Sequence, residues 1–205
     1  MKAMVLTAPG QQLAFVERPD PTPAPGEIGV RVEARGVCRT DLHIIDGELP
    51  GIRLPIVPGH EIVGIVDAVG PGVASPRLGQ RVGIPWLGHT CGACPYCKAH
   101  RENLCDRPLF TGHSRDGGFA THAVADAAYA FPLVGFCDPV AAAPLLCAGL
   151  IGWRSLKLAG EGRTPIHDDA GNLIALLHHV DDVTAEVQKA MDCDTRSVSA
   201  DSRRT

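Results

Sequence analysis

The chain has 205 residues, 45% of them hydrophobic and 20% charged, with a formal net charge of -4 at pH 7. That allows one good-sized domain with a real core, and the interspersed charges offer no basic stripe to a nucleic acid backbone. No apolar run approaches the roughly 18 residues of a membrane-spanning helix, and the opening MKAMVLTAPG lacks the apolar core of a leader, so a cytoplasmic location without membrane association is expected.

The first third is expected to be β-rich. Ile28, Val30, Val32 and Ala34 alternate with polar or small residues between Pro/Gly breaks, which predicts a half-buried strand. IVGIVDAV, Ile62 to Val69, predicts a more buried strand, and QRVGI near Val82 and GFATHAVA from Gly118 to Ala125 predict two more. From Asp138 to Lys157 the pattern turns helical, with Pro144 expected to divide it into two pieces. AGEGRTP, Ala159 to Pro165, reads as a joint, with a boundary near Gly162. The expected organisation is a mainly β domain with short helices over 1–160, a hairpin plus short helix over 161–192, and a disordered tail over 193–205 that can bury almost nothing.

Eight cysteines in a reducing compartment point to metal ligation rather than to disulfides. Cys91, Cys94, Cys97 and Cys105 form C-x2-C-x2-C-x7-C. Four thiolates at such spacing can close a tetrahedron around Zn²⁺, with Gly92 and Pro95 letting a short loop wrap the ion; all positions filled means a structural site. An iron–sulfur cluster uses four cysteines at similar spacing and remains open on spacing alone. A second group is dispersed: Cys38 follows a strand, His60 precedes one, and Cys147 falls in the late helical run. By chemistry alone a lone cysteine in an Ala/Leu helix is more often a small buried hydrophobe, and a lone histidine after glycine a loop residue.

In this order, GVCRTDLH, GHEIVGIVDAVGPGV, the CGACPYC loop and PLLCAGLIGW resemble the zinc-dependent medium-chain alcohol dehydrogenases, over roughly residues 1–160. GHE followed by Gly64, Gly70 and Val73 matches that family's zinc signature. The resemblance implies a GroES-like, partly closed β-barrel with a structural zinc lobe. It also implies a catalytic zinc on Cys38, His60 and Cys147, with Glu61 as a transient further ligand and Asp41 orienting the His60 imidazole. Thr40 matches the hydroxyl that accepts the substrate proton, His43 the outer member of that relay, and Arg39 a contact to the cofactor pyrophosphate. Without the resemblance, Thr40 reads as a helix-start residue and His43, Arg39, Asp41 and Glu61 as surface groups. Trp86 lies where substrate-pocket aromatics occur, although a core aromatic would look the same. The implied activity is zinc-dependent, NAD(P)-linked oxidation of a small alcohol to an aldehyde or ketone.

The resemblance stops near residue 160. There the family continues into a Rossmann domain, whereas this chain reads RTPIHDD. Gly160 and Gly162 begin a G-x-G, but Pro165 stands where a third glycine belongs. About 40 residues follow, little more than the ~30 of one βαβ unit. The expectation is therefore a truncated or rearranged chain, Rossmann domain absent, with little activity alone and some self-association through the uncovered apolar helix. The rival reading is a non-catalytic zinc-binding module. TPIHDDAGNLIALLHHVDDVTAEV, within 163–190, resembles the last hairpin of a PAS domain. His178 and His179 fall on opposite faces of that strand, and Cys137 and Cys193 have no assigned role.

Overall fold

The computed structural model describes residues 1–133 and 138–159. The expected joint, PAS-like hairpin and tail, together with Cys137 and Cys193, lie outside the described residues.

The elements in order are β1 (Lys2–Val5), β2 (Ala14–Glu17), β3 (Glu27–Arg35), α1 (Arg39–Asp46), β4 (Ile62–Val69), β5 (Arg81–Ile84) and β6 (Leu87–His89). There follow α2 (Pro95–Lys98), a 3-10 turn (Glu102–Leu104), β7 (Leu109–Phe110), β8 (His122–Asp126), a second 3-10 turn (Ala127–Tyr129) and β9 (Phe131–Pro132). Last come α3 (Pro139–Ala142), a third 3-10 turn (Ala143–Leu146) and α4 (Ala148–Ala159).

The centre is a five-stranded sheet in the order β8-β3-β4-β5-β9, flanked by the pairs β1-β2 and β6-β7. Every ladder between these strands is antiparallel, and the sheets do not join into a closed barrel. Ile28 and Val30 of β3, Ile62 and Val66 of β4, and Val82 and Ile84 of β5 form the main core, each at most 2% exposed. Burying each such side chain contributes about 1.5–3 kcal/mol, which fixes strand register, since a one-residue slip would turn the apolar set outward.

Register shifts interrupt the β3–β4 ladder between Gly29 and Val30 and between Val32 and Ala34. Bulges of this kind bend a strand and re-aim its end. Beyond the second one, Ala34 and Val63 pack with Ala142, Ala143 and Leu146, so the α3 segment lies across the end of the sheet. Gly83 makes this contact possible: a Cβ there would fall 2.5 Å from a Leu146 methyl. Leu146 seated on the sheet in turn places Cys147 beside the β3 exit, where Cys38 stands.

The strand expected from Gly118 begins only at His122. The Gly117 and Gly118 amides instead donate to the Val57 and Gly59 carbonyls at 2.7 and 2.8 Å, and the Phe119 amide to Pro58 at 2.9 Å. These bonds pin the loop that ends at His60. The α-helical run is interrupted by the 3-10 turn that carries Pro144 and again at Cys147 (φ -128°, ψ -76°), so Cys147 sits at a break rather than inside a helix. Pro144 occupies the first positions of the 3-10 turn, where a missing N–H breaks no helical bond. The segments either side of the break are bent by 54°, and no single described helix is long and apolar enough to cross a membrane. On α4, Leu150, Ile151, Trp153 and Leu158 are exposed, as expected of an uncovered apolar helix.

Candidate metal centres

Two groups of ligand atoms converge, each within 4.8 Å: Cys38, His60, Glu61 and Cys147 in one, and Cys91, Cys94, Cys97 and Cys105 in the other. They are the two sets singled out by sequence.

Cys38 is the N-cap of α1, His60 and Glu61 lead into β4, and Cys147 lies at the helix break. The Cys38 and Cys147 sulfurs are 3.8 Å apart. Two sulfurs bound at ~2.3 Å to a tetrahedral ion stand ~3.8 Å apart, whereas a disulfide needs ~2.05 Å. His60 is 1% exposed, and its Nε2 is buried without a hydrogen-bond partner. An orphaned nitrogen beside two sulfurs at tetrahedral separation fits a Zn²⁺ ion.

Asp41 organises this group. It is fully buried in the first turn of α1; Oδ1 lies 2.9 Å from His60 Nδ1, and Oδ2 accepts the Cys38 amide at 2.8 Å. One carboxylate therefore fixes two of the convergent residues and leaves Nε2 as the free ring nitrogen. Burial disfavours a charged imidazole, but the Asp41 hydrogen bond, the adjoining Cys147 sulfur and the charges of both outweigh it, and His60 is pushed up to about 10. Burial likewise pushes the Cys38 thiol up, but hydrogen bonds from the Thr40 amide and hydroxyl outweigh it and hold the thiol below its ordinary value. Burial pushes the Glu61 carboxyl up. Glu61 has room because of Gly36, where a Cβ would fall 1.6 Å from Glu61 Oε2.

Thr40 Oγ1 lies 3.8 Å from Cys38 Sγ, within α1 rather than at its cap. His43 is one turn further on the same helix, half-buried and paired with Glu48 through Nδ1. Arg39 is exposed at the first helical position. Trp86 meets the His60 ring edge-on, centroids 5.1 Å apart, and stacks on Phe110 at 4.9 Å. His113 closes this aromatic group against Trp86 at 5.8 Å. Sequence reasoning left Trp86 open between a pocket and a core aromatic, and besides His60 it also packs against the Leu6, Ile44 and Ile56 cluster; it missed Gly36, Phe110 and His113. Nothing local marks them, because only the β6–β7 pairing and the approach of Glu61 bring them in.

The second group is a lobe between β6 and β7. Cys91 lies 3.6 Å from Cys105 and 4.0 Å from Cys97, sulfur to sulfur, again bracketing the tetrahedral spacing. Backbone amides aim at three of the four sulfurs: Cys94 N–H at Cys91 (3.4 Å), Cys97 N–H at Cys94 (3.5 Å), and Cys91 and Arg107 N–H at Cys105 (both 3.3 Å). The Ala93 and Cys94 amides pull the Cys91 thiol down to about 6, and those of Asp106 and Cys97 lower Cys94. At Cys97 the Thr90 hydroxyl and the Gly92 amide act in the same sense, but burial and the Cys94 and Cys105 sulfurs outweigh them and push the thiol up to about 11. Thr90 in turn shares a 2.5 Å hydrogen bond with the Tyr129 hydroxyl.

Two convergent metal-ligand groups on an antiparallel sheet define a metal-site domain of known type, and residues 24–135 match the alcohol dehydrogenase GroES-like domain. The chain belongs to that family. It is 46% identical over 160 residues to a Mycobacterium tuberculosis protein named "Probable alcohol dehydrogenase AdhA", covering 74% of this chain and 46% of that protein. A solved Pyrobaculum aerophilum alcohol dehydrogenase, described as cobalt- and zinc-bound, superposes with a TM-score of 0.73 at 30% identity, covering 80% of this chain and 50% of the other. The structure of CAD from Helicobacter pylori complexed with NADP(H) superposes with a TM-score of 0.70 at 28% identity, covering 77% of this chain and 48% of the other. The chain thus spans about half the length of the curated relatives it matches.

Proposed function

We propose that residues 1–160 are the metal-bearing part of a zinc-dependent, NAD(P)-linked alcohol dehydrogenase acting on a small alcohol or aldehyde. The observation that carries this reading is the convergence of Cys38, His60 and Cys147 around a buried, unpartnered His60 Nε2. These three residues would hold a catalytic Zn²⁺, with Glu61 behind them as the exchangeable carboxylate, and Cys91, Cys94, Cys97 and Cys105 would hold a structural one. A Zn²⁺ ion with an open position supplies a Lewis acid that lowers the pKa of an alcohol toward neutrality.

The chain's own residues do the rest. Thr40, beside Cys38, accepts the hydroxyl proton, and His43, one turn along α1, carries it to solvent. Asp41 keeps His60 in the tautomer whose Nε2 is available. Trp86 and Phe110 form an apolar wall beside His60 that favours a hydrocarbon substituent and excludes water. Arg39, exposed at the start of α1, suits a cofactor pyrophosphate. The described residues hold no parallel sheet on which a nicotinamide could be seated. Alignment of bound reactants contributes roughly 7–11 kcal/mol to such a reaction, so in this chain residues 1–160 by themselves are expected to turn over slowly. Exposed Leu150, Ile151, Trp153 and Leu158 favour self-association of that chain.

The test is zinc analysis followed by an ethanol or benzyl alcohol assay with NAD⁺ and NADP⁺. Two zinc ions per chain, and any turnover abolished by Cys38→Ser, are expected. Two zinc ions without turnover, even with a relative's nucleotide-binding half added in trans, would favour a non-catalytic zinc module.

A further inference from the structure

The segment 49–55, between α1 and β4, forms no helix or strand of its own. It follows Gly47, the C-cap of α1, and Glu48, the partner of His43, and it ends where Ile56 pairs with Leu6. Among the described residues, the two hydrogen bonds that tie this segment to the rest of the chain both come from His113. Its Nε2 lies 3.2 Å from the Pro50 carbonyl oxygen, and its own carbonyl accepts the Arg53 amide at 3.1 Å. Leu49, Ile52 and Leu54 pack, together with Trp86, on the cluster of Leu6, Ile44 and Ile56. The segment is therefore continuous with the ring that meets His60 edge-on.

His113 is itself held from the sheet side. It stands in the turn after β7, where the Phe110 carbonyl accepts the amides of His113, Ser114 and Arg115 at 3.2, 3.0 and 3.2 Å. Arg115 fastens that turn to the body of the domain, donating to the Gly88 carbonyl at 3.1 Å and to Glu27 at 2.8 Å. The His113 ring meets Trp86 and Phe110 edge-on, with centroids 5.8 and 6.1 Å away.

The tautomer follows from donor capacity. A carbonyl oxygen only accepts, so Nε2 carries the proton and Nδ1 is a bare acceptor, buried without a partner in a residue 9% exposed. A phenyl ring would fill this place without an unpaired nitrogen. What the imidazole adds is the Nε2–H on Pro50. We propose that His113 is a positioning residue: it latches 49–55 onto the aromatic group, so that this segment and Trp86 form one fixed wall beside His60 on which the hydrocarbon part of a metal-bound ligand rests. The inference rests on the reading of Cys38, His60 and Cys147 as a metal site with an open position.

The experiment loads the full 205-residue chain with Co²⁺ and uses imidazole and 4-phenylimidazole as probes, since both bind a metal through a ring nitrogen and differ only by a phenyl group. The cobalt d–d bands report their affinities, and amide hydrogen exchange reports the segment. In the parent, 4-phenylimidazole should bind the more tightly. His113→Phe keeps an aromatic ring and deletes the donor: exchange over 49–54 should rise and the preference for 4-phenylimidazole should fall, each by about 2- to 10-fold, while imidazole binds as before. His113→Gln, whose amide N–H reaches about as far as Nε2, should restore both. Parental exchange and preference in His113→Phe would overturn the proposal, as would equal weakening of both probes, which general loosening of the site would give, or no recovery in His113→Gln. If His113→Phe does not fold, the parent decides: the ring ¹⁵N shifts of His113 should show Nε2 protonated and Nδ1 bare, and the reverse tautomer overturns the latch. If imidazole leaves the parental cobalt bands unchanged, or still shifts them in Cys38→Ser, the metal-site reading fails and takes the ligand wall with it. Parental exchange over 49–54 in His113→Phe is the separate failure of the latch.

Discussion

The two ligand groups reach similar geometry by opposite routes. The lobe draws its four sulfurs from Cys91 to Cys105 and turns three of its own amides onto them. The other group joins Cys38 and Cys147, 109 residues apart, to a histidine whose orientation depends on Asp41 in a helix. One site is a property of a loop, and the other of a fold. Local metal sites should fail locally, and tertiary sites should fail through whatever aligns them.

The largest effect should come from Cys97→Ser. A structural zinc supplies on the order of 10 kcal/mol in small metal-bound modules, so losing it should unfold the lobe. If the site is local, amide exchange should rise across 90–108 while β3 and β4 keep their protection, with zinc content falling by one ion. Loss of protection throughout the sheet would show that the lobe is not an independent unit. Next comes Asp41→Asn, expected to weaken metal binding at Cys38, His60 and Cys147 by 10–100-fold and to leave the lobe's zinc in place. A chelator titration resolving two affinities would measure it, and equal losses at both sites would contradict the comparison.

Gly36→Ala is expected to be smaller and purely steric. Its Cβ would fall 1.6 Å from Glu61 Oε2, and overpacking of this kind costs typically 1–3 kcal/mol. A chemical denaturation midpoint reads it, and Glu61→Ala in the same chain should restore most of the loss. The smallest effect is expected for Glu48→Gln. It removes the partner of His43 at a partly exposed pair, worth at most about 1 kcal/mol, and leaves both zinc ions bound.

What could be read without coordinates follows the same division. IVGIVDAV is β4 residue for residue, because a strand in the middle of a sheet writes its burial as a continuous apolar run. The cysteine lobe was legible from spacing as a four-thiolate metal group, although spacing left zinc and an iron–sulfur cluster both open. The pair β1-β2 was not, since Ala14, Phe15 and Glu17 are exposed and carry no periodic signal. The start of β8 was misplaced because Gly117 and Gly118 spend their amides on Val57 and Gly59, a choice made by distant backbone. The cluster of Cys38, His60 and Cys147 was reached only through resemblance. Its residues look ordinary in their own segments, and bulged β3 and Leu146 over Gly83 do the convening.

Cys147 also has a mechanical meaning. It stands at a 54° bend with the metal-ligand group on one side and α4 on the other. A helix of 12 residues is ~18 Å long, so a 10° rotation at that pivot carries its far end through about 3 Å. The Cys147 sulfur, held in the ligand group, is the short arm of a lever. Its long arm carries Trp153 and Leu158, so the angle held at Cys147 sets the heading of an apolar helix.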